Sequence, residues 1–241
     1  MEITTTTIRL RAPDGEMKCH QAQPRGRGRF PAVIVVMEAF GLNDHIKDVT
    51  ERISREGYVA IAPDLYYRQA QNVVGYEQLQ AAIGLMQTLV DDKITADLRA
   101  VINHLQAQTF VQREHIGITG FCMGGRIAFL AACKFPAEIK AAIPFYGGSI
   151  AADTPTAPLN FASDLKAPLL CFFGDRDPYI PPVQVQRIDE TLRRLGKTYE
   201  IKIYPGADHG FFCDERSSYH PEAAQDAWQK TKGWLEKHLR A

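Results

Sequence analysis

The sequence predicts an α/β protein with a mainly parallel central sheet, helices on both faces and an N-terminal β-hairpin. Three observations carry this. Ala32–Met37 is a near-continuous apolar run, the character of a strand buried on both faces. Such runs alternate with helical patterns, as in Ile94, Leu98, Val101, Ile102 and Leu105. Thr4–Leu10, rich in β-branched residues, is followed by the turn signal Pro13-Asp14-Gly15, after which Met17–Gln21 can return as a second strand. Alternating strands and helices imply right-handed crossovers, hence parallel pairing.

Taken in order, Thr4–Leu10 and Met17–Gln21 form the expected hairpin. Ala32–Met37 is a strand, and Asn43–Gly57 a helix with Ile46, Val49 and Ile53 on one face. Tyr58–Ala62 is the next strand, while Tyr66–Tyr76 has no period and reads as a loop. Helices follow over Tyr76–Val90 and Ile94–Gln108, then a short strand over Ile116–Thr119 and a helix over Arg126–Phe135. Ile139–Tyr146 is a strand, Ala151–Ser163 is irregular with prolines at 155 and 158, and Pro168–Gly174 is a strand. Val183–Gly196 reads as an amphipathic helix, Thr198–Tyr204 as an alternating strand, and Pro221–Leu239 as a terminal helix. With no repeat, low-complexity tract or linker-like charge block, 1–241 reads as a single domain.

Lysine plus arginine equals aspartate plus glutamate at 28 each, so no net charge draws the chain to nucleic acid or an anionic membrane. The run Arg25-Gly26-Arg27-Gly28-Arg29 is short and reads as a solvated loop. The five cysteines lack CxxC pairs and are odd in number, against a disulfide framework or structural zinc. The N-terminus lacks signal-peptide regions and no apolar run reaches membrane-span length. The expectation is a cytoplasmic protein, monomer or homodimer, acting on a small molecule.

Function is concentrated at Gly120-Phe121-Cys122-Met123-Gly124-Gly125, between an apolar strand and a helix. Strand, Gly-x-Cys-x-Gly, helix is the nucleophile-elbow pattern with cysteine in the serine position. The sharp turn lifts the nucleophile above the sheet edge, and the helix N-terminus behind it favours thiolate and oxyanion. Ligands of open parallel sheets bind at the carboxyl ends of strands. Glu38, Cys122, Asp177 and His209 all follow strands, and nucleophile, acid, histidine is the α/β-hydrolase chain order. His209 is the candidate base. Asp177 is the preferred orienting acid and Asp175 its rival two residues earlier.

Glu38 ends an apolar strand, where a carboxylate is costly unless paired. Its loop supplies an oxyanion donor in this fold, so the amides of Ala39 and Met123 are the expected oxyanion hole. Phe40, Tyr66, Tyr146, Tyr179 and Phe212 border these loops as candidate pocket residues, with core packing as the alternative for each. Asp208, His209, Cys213 and Asp214 are close in sequence, but Gly210-Phe211-Phe212 interrupts any ligand spacing. Neither metal nor cofactor is expected.

Five segments together resemble the dienelactone hydrolase (carboxymethylenebutenolidase) family. They are Met37-Glu38-Ala39-Phe40-Gly41, Ala62-Pro63-Asp64-Leu65-Tyr66, Gly120–Gly125, Gly174–Pro181 and Ala207-Asp208-His209-Gly210-Phe211. The resemblance implies a Cys122-His209-Asp177 triad and a resting thiol held by Glu38 until substrate binds. It also implies two arginines on the substrate carboxylate, and these have no match here. Asn72–Gln80 holds no arginine, the second position corresponds to Cys213, and neither Arg68 nor Arg216 aligns. The expected activity is hydrolysis of an ester or dienelactone-like lactone. Alternatives are a thioesterase or uncharged-ester hydrolase on the same site, a non-catalytic binding module, and a redox-responsive thiol protein that uses Cys122 with another cysteine, Cys213 being the one whose loop follows His209.

Overall fold

Seven residues without a polar side chain, Phe30–Val36, form strand β3, almost wholly buried. The computed structural model describes residues 1–240. Before β3 come β1 (Ile3–Ala12) and β2 (Gly15–Pro24); after it come α1 (Asp44–Arg55), β4 (Val59–Pro63), α2 (Leu79–Gln87), α3 (Asp91–Ala107) and β5 (Val111–Phe121). Then follow α4 (Met123–Lys134), β6 (Ile139–Phe145), a 3-10 helix (Pro158–Asp164), β7 (Leu169–Gly174), α5 (Pro182–Arg194), β8 (Tyr199–Tyr204) and α6 (Pro221–Leu239). The sheet order is β1-β2-β4-β3-β5-β6-β7-β8, mainly parallel with an antiparallel N-terminal hairpin. By contacts the chain divides into two compact units, Met1–Gly117 and Ile118–Ala241.

In the first unit the hairpin is longer than the apolar pattern suggested, closing at Ala12↔Gly15. β2 runs antiparallel to β4, and β4 runs parallel to β3. Helix α1 packs its Ile46, Val49 and Ile53 face inward against β2 and β4. Its N-cap is Asn43, whose Oδ1 accepts from the Ile46 N–H at 3.1 Å, a bond typically worth about 1 kcal/mol.

The aperiodic stretch after β4 is fastened by polar groups far apart in sequence. Arg68 donates through Nη1 and Nη2 to the two carboxylate oxygens of Asp97 at 2.7 and 2.9 Å, and through Nε to Asp14 at 2.7 Å. Tyr67 adds a hydroxyl donor to Asp97 at 3.0 Å. Asp97 is fully buried, and this forked pairing is what makes a buried carboxylate tolerable.

α2 is shorter than the expected Tyr76–Val90 and buries only Ala82 fully. With so little of its surface packed, its flanking turns gain nothing from staying helical. β5 begins at Val111, well before the expected Ile116; Gln112–His115 are polar and at least partly exposed, so no apolar run marks that part of the strand. An apolar run reveals only the buried half of such a strand.

The second unit holds the elbow. α4 is buried nearly all round and packs on β6 and the 3-10 helix. Gly125 permits this approach: a Cβ there would run into the Phe145 carbonyl and Gly147. α6 packs on β6 and β7. It starts at Pro221, with His220 Nδ1 accepting from Ala223 N–H at 3.4 Å. Among the described residues no helix is long and apolar enough to cross a membrane.

Candidate active site

Cys122 sits between β5 and α4 with φ 55° and ψ −118°, a conformation an L-residue adopts only under constraint. Such strain costs about 1–3 kcal/mol. Three hydrogen bonds hold it. The Cys122 N–H donates to the Phe145 carbonyl at 3.1 Å, and the Cys122 carbonyl accepts from Gly125 and Arg126 N–H at 3.0 and 3.2 Å. The thiol therefore stands at the N-terminal end of α4, and Cys122 is the one partly exposed cysteine of the five. Met123 follows, buried in the first helical turn.

Two loops bring the acid and the histidine together. Where β7 ends, Gly174 lies so close to the Ala207 carbonyl that a Cβ would collide with it. Asp175 N–H donates to Tyr204 O at 3.2 Å and Arg176 N–H to Ala207 O at 3.0 Å. Asp175 accepts from the Gly206 N–H at 2.7 Å, which pins the two loops together. Asp177 then reaches His209, with Oδ2 2.7 Å from Nδ1. Its other oxygen accepts from the Tyr179 N–H at 2.8 Å. The rival acids are thus separated by partner: Asp175 secures a turn and Asp177 binds the imidazole. Both His209 and Asp177 are about 94% buried, each with 6% of its surface exposed.

The charge state follows from these neighbours. Burial alone pushes the His209 pKa down. The negative charge of Cys122, hydrogen bonds to Asp177 and Cys122, and the charge of Asp177 outweigh it and raise the pKa to about 10. The arrangement favours the protonated imidazole. Edge-on aromatic rings restrict the imidazole: Tyr146 at 5.2 Å and Tyr179 at 5.1 Å between centroids. Tyr146 is itself held at φ 35°, its N–H on the Phe172 carbonyl at 2.8 Å. Tyr179 is 58% exposed.

Phe212 is core rather than pocket surface. It is buried and packs on Phe121, Phe145 and Trp228. Cys213 is also fully buried, its N–H bonded to Gly210 O at 3.0 Å.

In the first unit, Glu38 follows β3 and is fully buried. Its carbonyl accepts from Gly41 N–H at 3.1 Å, making a turn of Glu38–Gly41. Gly41 has φ 93°, and any Cβ there would strike the Asn72 carbonyl. Tyr66 is buried and donates its hydroxyl to the Ala39 carbonyl at 3.0 Å. Phe40 packs on Tyr76 with centroids 4.7 Å apart, and its carbonyl accepts from Val74 N–H at 3.1 Å. Ala39, Phe40, Val74 and Ala82 form a small apolar cluster. Phe40 and Tyr66 thus serve as packing and anchoring groups.

The sequence profile of the Dienelactone hydrolase family matches residues 17–239. The chain belongs to the dienelactone hydrolase family. It is a carboxylic ester hydrolase with the α/β-hydrolase fold. A Synechocystis protein named "Putative carboxymethylenebutenolidase" is 40% identical, across 100% of this chain and 99% of its own. A Methylorubrum extorquens protein of the same name is 37% identical over 96% of this chain and 80% of its own. The crystal structure of a Klebsiella pneumoniae "Putative Dienelactone Hydrolase" superposes with TM-score 0.90 at 36% identity, covering 99% of this chain and 100% of that one.

Within this family member, the two arginines near the motifs have distinct surroundings. Arg68 is committed to Asp97 and Asp14, with 17% of its side chain exposed. Arg216 lies over Gly210, next to His209, where a Cβ on that glycine would meet its guanidinium. Among the described residues no group of three or more His, Cys, Asp or Glu side chains is disposed to hold a metal ion.

Sequence reasoning missed the supports of the Glu38–Gly41 turn. Asp64 accepts from Tyr66 N–H at 3.0 Å and from Asn72 Nδ2 at 2.6 Å. Asn43, besides capping α1, donates to the Tyr76 hydroxyl at 2.9 Å. The acid of Pro63-Asp64-Leu65 was a visible signal. Its partner Asn72, in an aperiodic stretch, was not.

Proposed function

We propose that this hydrolase cleaves a carboxylic ester or lactone through an acyl-enzyme on Cys122. The observation that carries the reading is the His209–Asp177 bond of 2.7 Å with Cys122 hydrogen-bonded to the same imidazole on a strained elbow. The thiolate attacks the carbonyl carbon, forming a C–S bond while the carbonyl electron pair moves to oxygen. The amide of Met123, at the start of α4, and that of Ala39 are assigned to this oxyanion. Collapse breaks the C–O bond, and His209 gives its Nε2 proton to the departing alkoxide. His209 then takes a proton from water, whose oxygen attacks the thioester and expels the thiolate. Asp177 keeps Nδ1 protonated and the ring oriented. Glu38, buried after β3, is assigned to the resting thiol.

For the substrate, the relatives' name points to dienelactone-like lactones. The ion pairing of Arg68 favours a second reading, uncharged esters or thioesters, because a guanidinium spent on Asp97 and Asp14 is not offered to a substrate carboxylate. Cys122→Ala removes turnover of every substrate in this mechanism. Rapid quenching of the native enzyme with a slow aryl ester, followed by mass spectrometry, should find the acyl group on Cys122. Turnover retained in Cys122→Ala would sink the mechanism. Comparing dienelactone with the aryl ester decides between the two substrate readings.

A further inference from the structure

β8 closes the sheet with β7 as its neighbour, so its outer edge is open. The direction of its backbone groups follows from the bonds it makes. Thr198 O accepts from Leu169 N–H at 3.0 Å and Tyr204 O accepts from Asp175 N–H at 3.2 Å. Even-numbered residues therefore point their backbone groups at β7, and alternation turns those of Tyr199, Ile201 and Ile203 outward. An open row of donors and acceptors is a template for another strand.

The side chains at this edge are apolar on one face and charged on the other. Ile201 and Ile203 line a groove of about 510 Å³ with Val185 and Pro182 of α5. Ile203 is 46% exposed and Val183, on the first turn of α5, is 67% exposed. The opposite face carries exposed Glu200 and Lys202.

We infer that β8 pairs antiparallel with β8 of a second copy of this chain, about a two-fold axis at Ile201. The register is selected by charge and by backbone direction together. An axis at Ile201 sets Ile201 opposite its own copy as a hydrogen-bonded pair, as its outward groups require. It sets Glu200 opposite Lys202 of the second copy, twice, in the narrow non-hydrogen-bonded sites where side chains are closest. It also lays Ile203 against Tyr199 of the second copy. An axis at Glu200 or Lys202 would instead oppose like charges.

Sedimentation velocity on the full chain tests this independently of the catalytic proposal. The native chain is expected to be dimeric at micromolar concentration. Lys202→Glu puts glutamates opposite each other twice and should raise the dimer dissociation constant about tenfold or more. The double exchange Glu200→Lys with Lys202→Glu should restore the dimer. Ester turnover and circular dichroism should be native in all three, since neither position touches the catalytic groups. A monomeric native chain, a dimer indifferent to Lys202→Glu, or no rescue by the double exchange overturns the inference.

Discussion

His209 Nδ1 and Asp177 Oδ2 stand 2.7 Å apart although 32 positions separate them in the chain. Two loop crossings, through the Asp175 carboxylate and the Ala207 carbonyl, make that distance. Because the acid fixes which ring nitrogen carries the proton, its removal should act on rate more than on binding. Asp177→Asn is expected to lower kcat by about 10²–10⁴-fold with KM little changed. Steady-state kinetics on an aryl ester reads this. Asp175→Asn should lose far less.

The raised His209 pKa makes stability depend on pH in a defined window. The folded value of about 10 lies above the ordinary 6.5, so the native state binds the extra proton between them. The resulting stabilisation is fully present below pH 6.5 and is lost as pH rises through 10. Since Cys122 contributes to the rise, Cys122→Ala should flatten the decline. Melting temperatures from pH 6 to 10.5 in both proteins check it.

Thiol chemistry should be confined to one cysteine. Burial pushes the thiols of Cys19, Cys133 and Cys171 up to about 12, and the charges of Asp64 near Cys19 and Asp164 near Cys133 add to it. Cys122 is partly exposed at a helix N-terminus. Iodoacetamide at pH 7.5 is expected to modify Cys122 first and abolish turnover in step with a single adduct by mass spectrometry. Equal labelling of the other cysteines in the native protein would contradict this.

Tyr66 should prove a positioning residue. Tyr66→Phe deletes the hydroxyl donor to Ala39 while keeping the buried ring. The cost should be about 1 kcal/mol of stability. If the Ala39 loop serves the oxyanion, kcat should fall about tenfold with KM near native. A stability loss alone, with native kcat, would leave the hydroxyl a purely structural role.

Gly125→Ala tests the packing behind the elbow. The added methyl meets the Phe145 carbonyl, a backbone atom that cannot swing aside. Destabilisation of about 3 kcal/mol is expected by denaturant melts. Gly148→Ala, whose Cβ meets nothing within 4 Å, is the neutral control.

Much of this architecture was legible in one dimension because its signals are local. Apolar runs marked β3, β4, β6 and β7, since strands buried on both faces have few polar residues to interrupt them. Gly-x-Cys-x-Gly marked the elbow because the tight turn itself demands small neighbours. The polar start of β5 and the 3-10 helix at Pro158–Asp164 left no such trace.

By itself, then, the sequence determined the alternation of strands and helices, the elbow and the dienelactone hydrolase family. The first two follow from periodicity and turn chemistry, which act between near neighbours; the family follows from the resemblance carried by the five motif segments and the matching profile. Only the tertiary structure decided that Asp177 rather than Asp175 meets His209, that Phe212 is core, and that Arg68 is bound to Asp97. It also showed that Tyr66 anchors Ala39. Each depends on where distant segments cross, and a buried polar group takes whichever partner the packed chain brings within hydrogen-bonding distance.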